Sequence, residues 1–139
     1  MSDDRKKVLF LCTGNSCRSQ MAEGWANFLR SKDLIVFSAG VNPGRLNERA
    51  VTVMKEAGVD LSSQIPQHVE DFVGLDFDLV VTVCDNAKEL CPVFPGKCNI
   101  LHRKFDDPSE VIGSKDVIMS EFRRVRDEIR DFVKNLKVE

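Results

Sequence analysis

The sequence has 139 residues, of which 42% are hydrophobic and 30% are charged, and its formal net charge is −2. This length suits one domain, residues 1–139, and the composition excludes collagen, a long coiled coil and a wholly disordered chain. The longest apolar runs extend over about five residues, whereas a membrane-spanning helix needs about 20. Nucleic-acid-binding proteins usually carry a basic excess. We therefore expect one globular domain that binds neither a membrane nor nucleic acid.

Four short segments have the composition of β-strands. Each is a compact apolar run rich in β-branched residues and bounded by charge, glycine or turn residues. In chain order they are residues 7–12, 34–38, 78–84 and 98–102.

Helical patterns lie between and after these strands, with apolar residues recurring at spacings of three and four. The first pattern contains Met21, Ala22, Trp25, Phe28 and Leu29. The second begins at a cap, Asn47, ends before Gly58, and turns Ala50, Val51, Met54 and Ala57 inward. A short helix is predicted over 86–91, stopped near Pro92. The C-terminal stripe consists of Met119, Phe122, Val125, Ile129, Phe132, Val133 and Leu136.

The alternation of strands and helices predicts an α/β fold. Because such crossovers make neighbouring strands parallel, we expect a three-layer architecture, with a four-stranded parallel sheet flanked by helices on both faces. The least regular regions are 60–77 and 103–118.

The sequence contains five cysteines, an odd number, which are Cys12, Cys17, Cys84, Cys91 and Cys98. The N-terminal residues show no signal-peptide pattern, which predicts a cytoplasmic protein with reduced thiols. Structural zinc sites generally use cysteines roughly two to four residues apart, and the gaps here are wider, so we expect no zinc site. Each thiol taken alone is best interpreted as a small buried apolar side chain.

The sharpest pattern is the segment CTGNSCRS, residues 12–19, which follows the first predicted strand and opens the first helix. Ligands of α/β sheets bind at the carboxyl ends of strands. A tight loop there, with Gly14 permitting unusual dihedral angles, turns successive N–H groups inward. The helix N-terminus adds its positive end, and Arg18 supplies a planar fork for two oxygens of a tetrahedral oxyanion.

These groups predict an oxyanion site with Cys12 as its nucleophile. The positive surroundings favour the Cys12 thiolate, and Ser19 is placed to donate a hydrogen bond to that sulfur. We expect Asn15 to hold the loop shape through side-chain hydrogen bonds, and Cys17 to be structural. The alternative is a plain strand-to-helix turn with an incidental cysteine. The predicted oxyanion-binding residues are Thr13, Gly14, Asn15, Ser16, Cys17, Arg18 and Ser19.

Residues 7–26, KVLFLCTGNSCRSQMAEGWA, resemble the opening of the low-molecular-weight tyrosine phosphatase fold, and more closely the thioredoxin-coupled arsenate reductases that share it. The resemblance covers essentially the whole chain and implies that family's fold, reduction of arsenate to arsenite in arsenic detoxification, and thioredoxin as the reductant. Further matching segments are SAG at 38–40, MKEAGVDLS at 54–62, DLVVTVC at 78–84, FDDP at 105–108 and FRRVRDEI at 122–129.

The resemblance also implies a proton donor on a late loop, and Asp107, in the run Asp106-Asp107-Pro108, matches that position. Such an acid must lie within hydrogen-bond reach of the leaving oxygen. Without the resemblance, the same run is best interpreted as a turn.

Cys84 and Cys91 distinguish the implied reductase from a phosphatase, because reduction needs two electrons, which a dithiol supplies on becoming a disulfide. The resemblance implies that Cys12 attacks arsenic, Cys84 attacks Cys12, and Cys91 attacks Cys84. If 84–91 were one helix, the two sulfurs would lie about 10 Å apart. A disulfide needs Cα atoms within about 7 Å, so we expect oxidation to unwind this segment and loosen residues 85–98.

Two alternatives stay open. The first is a low-molecular-weight protein tyrosine phosphatase that uses the same loop and Asp107; such enzymes usually place tyrosines near the acid loop, and this sequence has none. The second is an oxyanion- or phosphoprotein-binding module without turnover, which would require loss of the nucleophile or the acid.

The implied reaction requires no metal or organic cofactor. Some family members bind potassium beside the loop, and Asn15, Glu23 and Ser38 match that site, but Ile65 and Gln67 stand where later oxygen donors fall. The potassium site is therefore expected to be incomplete. Cys98 has no place in the relay and is expected to be a buried strand residue. Nothing in the sequence marks an obligate interface, which favours a monomer.

Overall fold

A four-stranded parallel sheet forms the centre of the computed structural model, which describes residues 4–72, 74–83 and 99–138. The strand order is β2-β1-β3-β4, so β1 pairs with a neighbour on each side. The four strands are β1 (Lys6–Cys12), β2 (Leu34–Gly40), β3 (Leu79–Thr82) and β4 (Asn99–His102). The predicted α/β fold with a four-stranded parallel sheet is confirmed.

Three α-helices and two short 3-10 helices accompany the sheet in the described ranges. The α-helices are α1 (Arg18–Leu29), α2 (Glu48–Glu56) and α3 (Lys115–Asn135), and the 3-10 helices are Val69–Phe72 and Pro108–Glu110. Within these ranges no helix is both long and apolar enough to cross a membrane. The helix predicted over 86–91 and the strand position predicted for Cys98 lie outside the described residues.

The ends of α2 follow the local signals in the sequence. The Asn47 side chain accepts hydrogen bonds from the N–H groups of Arg49 and Ala50, as a helix N-cap does. Gly58 follows the helix with a φ of +89°, a conformation that costs glycine little. Both predicted caps are therefore confirmed. The inward face differs in part, because Val53 is fully buried whereas Val51 is only half-buried.

The two faces of the sheet are covered by different elements. Helix α1 packs against β1 and β2, and α3 packs against both α1 and α2. Ser38 of β2 contacts Glu23 of α1, so its neighbour Phe37 must point to the opposite face of the sheet. There the Phe37 ring meets the rings of Phe72 and Phe77 at centroid distances of 5.6 and 5.7 Å.

The central position of β1 explains its sequence and places its end. Residues Val8 to Cys12 are all buried, because β1 has a strand on each side and packing on both faces. A strand buried in this way needs an apolar run rather than an alternating pattern. The chain therefore leaves the sheet at Cys12 from the middle of its carboxyl edge.

Helix α3 supplies a test of the core. Ile129 on α3 is 0% exposed, whereas Ile112, in the preceding loop, is 96% exposed. We expect Ile129→Ala to lower the free energy of unfolding by about 2–5 kcal/mol through lost burial and a residual cavity. Urea denaturation measures this change. The matched control, Ile112→Ala, should change stability by less than about 0.5 kcal/mol, and equal losses in both variants would contradict this packing.

Candidate active site

The loop between β1 and α1 lies at the carboxyl edge of the sheet. Cys12 is the last residue of β1 and is buried, and Arg18 is the first residue of α1. Residues 13–17 therefore make the whole connection between the central strand and the N-terminus of the first helix, as the sequence predicts.

The carbonyl groups of this loop all point away from its interior. Each accepts a hydrogen bond from outside the loop, and the donors are Val41 N to Cys12 O at 3.3 Å, Asn42 N to Thr13 O at 2.9 Å, Gly44 N to Gly14 O at 2.9 Å, Gln20 Nε2 to Asn15 O at 3.0 Å and Asn47 N to Ser16 O at 2.9 Å. In a trans peptide the N–H points opposite to the carbonyl. The N–H groups of residues 13–17 therefore face inward and form a concavity of the kind that can bind an anion.

Asn15 holds the turn of the loop. It is fully buried and has a φ of +48°, a left-handed conformation that asparagine tolerates better than most residues. Its Oδ1 accepts a hydrogen bond from Ser19 Oγ at 2.8 Å. The expectation that Asn15 fixes the loop agrees with this contact. The Ser19 hydroxyl donates to Asn15, and its predicted donation to the Cys12 sulfur stays a prediction.

Gly40, at the end of β2, lies against the loop. A Cβ atom at this position would stand 2.6 Å from Thr13 O and 2.9 Å from Asn15 N, both of which are backbone atoms. Only glycine permits this approach without displacing the loop. This role depends on the packing of two separate segments, and a glycine that closes a buried strand is the local sequence signal for it.

Arg18 and Asp107 bring the late loop to the early one. Arg18 NH1 donates to Phe105 O at 2.9 Å, and NH2 lies 3.4 Å from Asp107 Oδ2. Asp107 Oδ1 accepts from the N–H and the hydroxyl of Ser109 at 3.0 and 2.6 Å. The two interpretations of Asp107 are therefore compatible, because one carboxylate oxygen caps the 3-10 turn while the other faces Arg18.

Phe105 anchors the loop that carries Asp107. Its side chain is buried, and its ring lies edge-on to Phe132 of α3 with the centroids 5.7 Å apart. Its N–H donates to Val83 O at 3.1 Å, which continues the chain alongside the end of β3. The pattern FDDP does not by itself predict this anchoring role of Phe105, because it depends on packing against α3.

Cys17 differs from Cys12 in its surroundings. Burial, and to a smaller extent the negative charge of Asp107, raise the pKa of the Cys17 thiol to about 12, although the positive charge of Arg18 opposes both. Cys17 therefore stays a neutral thiol near neutral pH, which supports the expectation that it is structural.

The residues that match a potassium site make other contacts. The Ser38 hydroxyl donates to Glu23 Oε1, and Asn15 Oδ1 accepts from Ser19. Burial raises the pKa of Glu23, although the hydrogen bonds from Ser38 oppose this, and Ile65 offers no side-chain oxygen and is 68% exposed. Asn15 and Ser38 therefore already make hydrogen bonds within the protein, and the incomplete potassium site stays a prediction.

Cys84 and Cys91 lie outside the described residues. The end of β3, however, is described: β3 pairs with β1 in parallel, and Thr82 is in register with Leu11. The chain therefore leaves β3 at the carboxyl edge of the sheet. This exit lies beside the end of β1, where the loop after Cys12 begins.

Known proteins of similar sequence share the fold described above. The family model described as low molecular weight phosphotyrosine protein phosphatase matches residues 7–139. This chain belongs to that family. An arsenate reductase of Bacillus subtilis (strain 168) is 44% identical over 131 residues, which cover 94% of each chain.

Solved structures of the family superpose along almost the whole chain. One described as an arsenate reductase in the phosphate binding state has a TM-score of 0.81 and 34% identity, covering 94% of this chain and 95% of the other. A low molecular weight protein tyrosine phosphatase from T. tengcongensis has a TM-score of 0.72 and 28% identity, covering 92% and 95%. The family fold therefore accommodates members described by either activity.

The approach of Gly40 to the loop gives a test of the anion site. We expect Gly40→Ala to weaken the binding of inorganic phosphate by at least about tenfold, because the added Cβ displaces Thr13 O and Asn15 N. Isothermal titration calorimetry measures this affinity. In the control Gly44→Ala, the new Cβ meets nothing within 4 Å, so binding should stay unchanged. Equal affinity in the two variants would argue against an anion site shaped by this contact.

The Cys17 thiol predicts a pH dependence of stability. Its folded-state pKa of about 12 exceeds the ordinary value of 9.0, so its contribution is fully present below pH 9 and is lost as the pH rises toward 12. Between about pH 8 and about pH 10, the reduced wild type should lose about 1 kcal/mol more stability than Cys17→Ala. Urea denaturation at the two pH values measures the difference, and parallel losses would show that Cys17 does not hold its proton.

Proposed function

We propose that this chain is an arsenate reductase, which converts arsenate to arsenite and so serves arsenic detoxification. The observation that carries the proposal is the loop of residues 13–17, whose N–H groups face a common space beside Cys12 while Arg18 and Asp107 close its side. Arsenate is a tetrahedral oxyanion, as is phosphate, and a structural relative is described in a phosphate binding state. The relatives named arsenate reductase support the choice of reaction.

In the first proposed step, the Cys12 thiolate forms a bond to arsenic. An arsenic–oxygen bond breaks, and the departing hydroxyl leaves as water after taking a proton from Asp107. The loop N–H groups and Arg18 hold the other oxygens and balance their negative charge. The contact between Asp107 Oδ2 and Arg18 NH2 supports this assignment, because it puts the carboxyl beside the group that would bind the anion.

In the second step, the Cys84 thiolate attacks the Cys12 sulfur. The sulfur–arsenic bond breaks, and its electron pair stays on arsenic, which leaves as arsenite in the trivalent state. A Cys12–Cys84 disulfide forms. Cys91 then attacks Cys84, which releases the Cys12 thiolate and leaves a Cys84–Cys91 disulfide. The two electrons of the reduction therefore come from Cys84 and Cys91.

An external dithiol must reduce this disulfide before the next turnover. We infer thioredoxin as that partner and a monomer in the cytoplasm, where thiols are kept reduced. The cycle needs no resident metal or organic cofactor, since the thiols supply both the nucleophile and the electrons.

The alternative is a low-molecular-weight protein tyrosine phosphatase, which the family model and the tyrosine phosphatase relative favour. The same loop, Arg18 and Asp107 would serve phosphoryl transfer, so weak phosphatase activity is expected beside the reductase. The sequence contains no tyrosine, which leaves no such side chain to contact an aromatic substrate near the acid loop.

A thioredoxin-coupled assay separates the steps. With thioredoxin, its reductase and arsenate, NADPH oxidation should be abolished in Cys12→Ser, because no bond to arsenic can form. Cys91→Ser should release at most one arsenite per protein, because it stops at the Cys12–Cys84 disulfide. Cys98→Ser, which removes a thiol without a place in the relay, should keep multiple turnovers.

Two results of these assays would count against the proposed arsenate reductase mechanism. Normal multiple turnover of Cys91→Ser with thioredoxin would refute the relay. Release of nitrophenol from its phosphate ester, without any arsenate-dependent NADPH oxidation, would favour the phosphatase.

A further inference from the structure

The loop after β4 carries two adjacent carboxylates, Asp106 and Asp107, and only one of them faces Arg18. Asp107 lies 3.4 Å from Arg18 NH2, and its side chain is 24% exposed. The Asp106 side chain is 66% exposed and contacts a different arginine, Arg124, at 2.9 Å. Ser109 holds one oxygen of Asp107, and the two adjacent carboxylates pair with different arginines.

Arg124, on the surface of α3, is held in place by its own helix. Its NH1 donates to Glu128 Oε2 at 2.6 Å, and its Nε and NH2 donate to Glu121 Oε2 at 2.9 and 2.7 Å. These partners are four residues after and three residues before Arg124, where helical side chains meet. The helix beneath is fixed by the fully buried neighbours Phe122 and Val125. The guanidinium is therefore presented in one orientation, with NH2 toward Asp106.

The extended backbone at Asp107 points its side chain to the side opposite that of Asp106. Asp107 has φ and ψ of −87° and 104°, an extended conformation. Successive side chains of an extended segment point to opposite sides. With Asp106 held toward α3 by Arg124, Asp107 is directed toward Arg18 at the loop.

The same contact also separates charges. A second free carboxylate beside Arg18 would compete for its guanidinium and repel a bound oxyanion. In the structure, the charge of Asp106 is matched by Arg124, whereas Arg18 pairs with Asp107. Exposed ion pairs add little to stability, so the consequence to be expected is one of position and charge rather than of folding.

We propose that Arg124 is a positioning residue, which holds Asp106 against α3 and thereby leaves Asp107 as the one carboxylate of the pair that faces Arg18 and the anion. The inference rests on the proposed function only for the role of Asp107 as proton donor. The anion site itself is tested with inorganic phosphate, whether or not arsenate is reduced.

Phosphate binding by calorimetry at low ionic strength gives the first test. Arg124→Gln should weaken binding by about threefold to tenfold, because the charge of Asp106 is then unmatched and repels the bound anion. Adding Asp106→Asn to this variant should restore the affinity, since the repelling charge is gone. The neighbouring Arg123, which pairs with Glu56 at 2.9 Å, supplies the control, and Arg123→Gln should bind phosphate within about twofold of wild type.

The arsenate assay gives the second test. Arg124→Gln should lower kcat about threefold to tenfold beyond any change in KM, because the acid is misplaced in the reacting complex. Unchanged phosphate binding in Arg124→Gln, or a loss that Asp106→Asn does not restore, would overturn the inference, as would absence of phosphate binding by the wild type. Failure of the wild type to reduce arsenate would instead refute the proposed function and leave the phosphate result to decide the role of Arg124.

Discussion

Backbone hydrogen bonds from residues 41–47 to the carbonyls of the loop after β1 are the constraint on which the site depends. Four N–H groups of this segment donate to Cys12, Thr13, Gly14 and Ser16. A buried carbonyl must find a donor, and here each donor lies outside the loop. Because the peptides are rigid and planar, satisfying the carbonyls outward leaves the N–H groups facing inward. The concavity that we propose to bind the oxyanion is therefore a consequence of how β2 and its following segment pack against the loop.

A second set of contacts ties the distant end of the chain to this loop. Arg18 donates to Phe105 O and faces Asp107, while the Phe105 ring is buried against Phe132 of α3. The loop that carries Asp107 is thus anchored on one side by the core and on the other by the arginine of the anion site. Rigid supports of this kind hold reacting groups in their positions beforehand, so that no reorganisation energy is needed during the reaction.

Local sequence signals predicted the elements well, because they act over a few residues. The Asn47 cap, the Gly58 terminus and the apolar run of β1 each follow from nearby residue types. The loop that joins the central strand to the first helix was also predictable, since Cys12 and Arg18 lie within one segment at the end of a strand. The loop's outer support was not, because the approach of Gly40 and the donors of 41–47 depend on how two separate segments pack. The contact of Arg124 with Asp106 spans 18 positions and escaped prediction for the same reason.

The two described cysteines of the loop show how position divides their chemistry. Cys12 closes the central strand at the base of the inward-facing N–H groups, whereas Cys17 caps α1 and lies within the field of Asp107. Burial and that carboxylate keep Cys17 protonated, so it does not compete as a nucleophile near neutral pH. Burial is the larger of the two causes, and the charge of Asp107 adds to it. In the proposed reaction Cys12 is therefore the thiol of this loop that acts as the nucleophile.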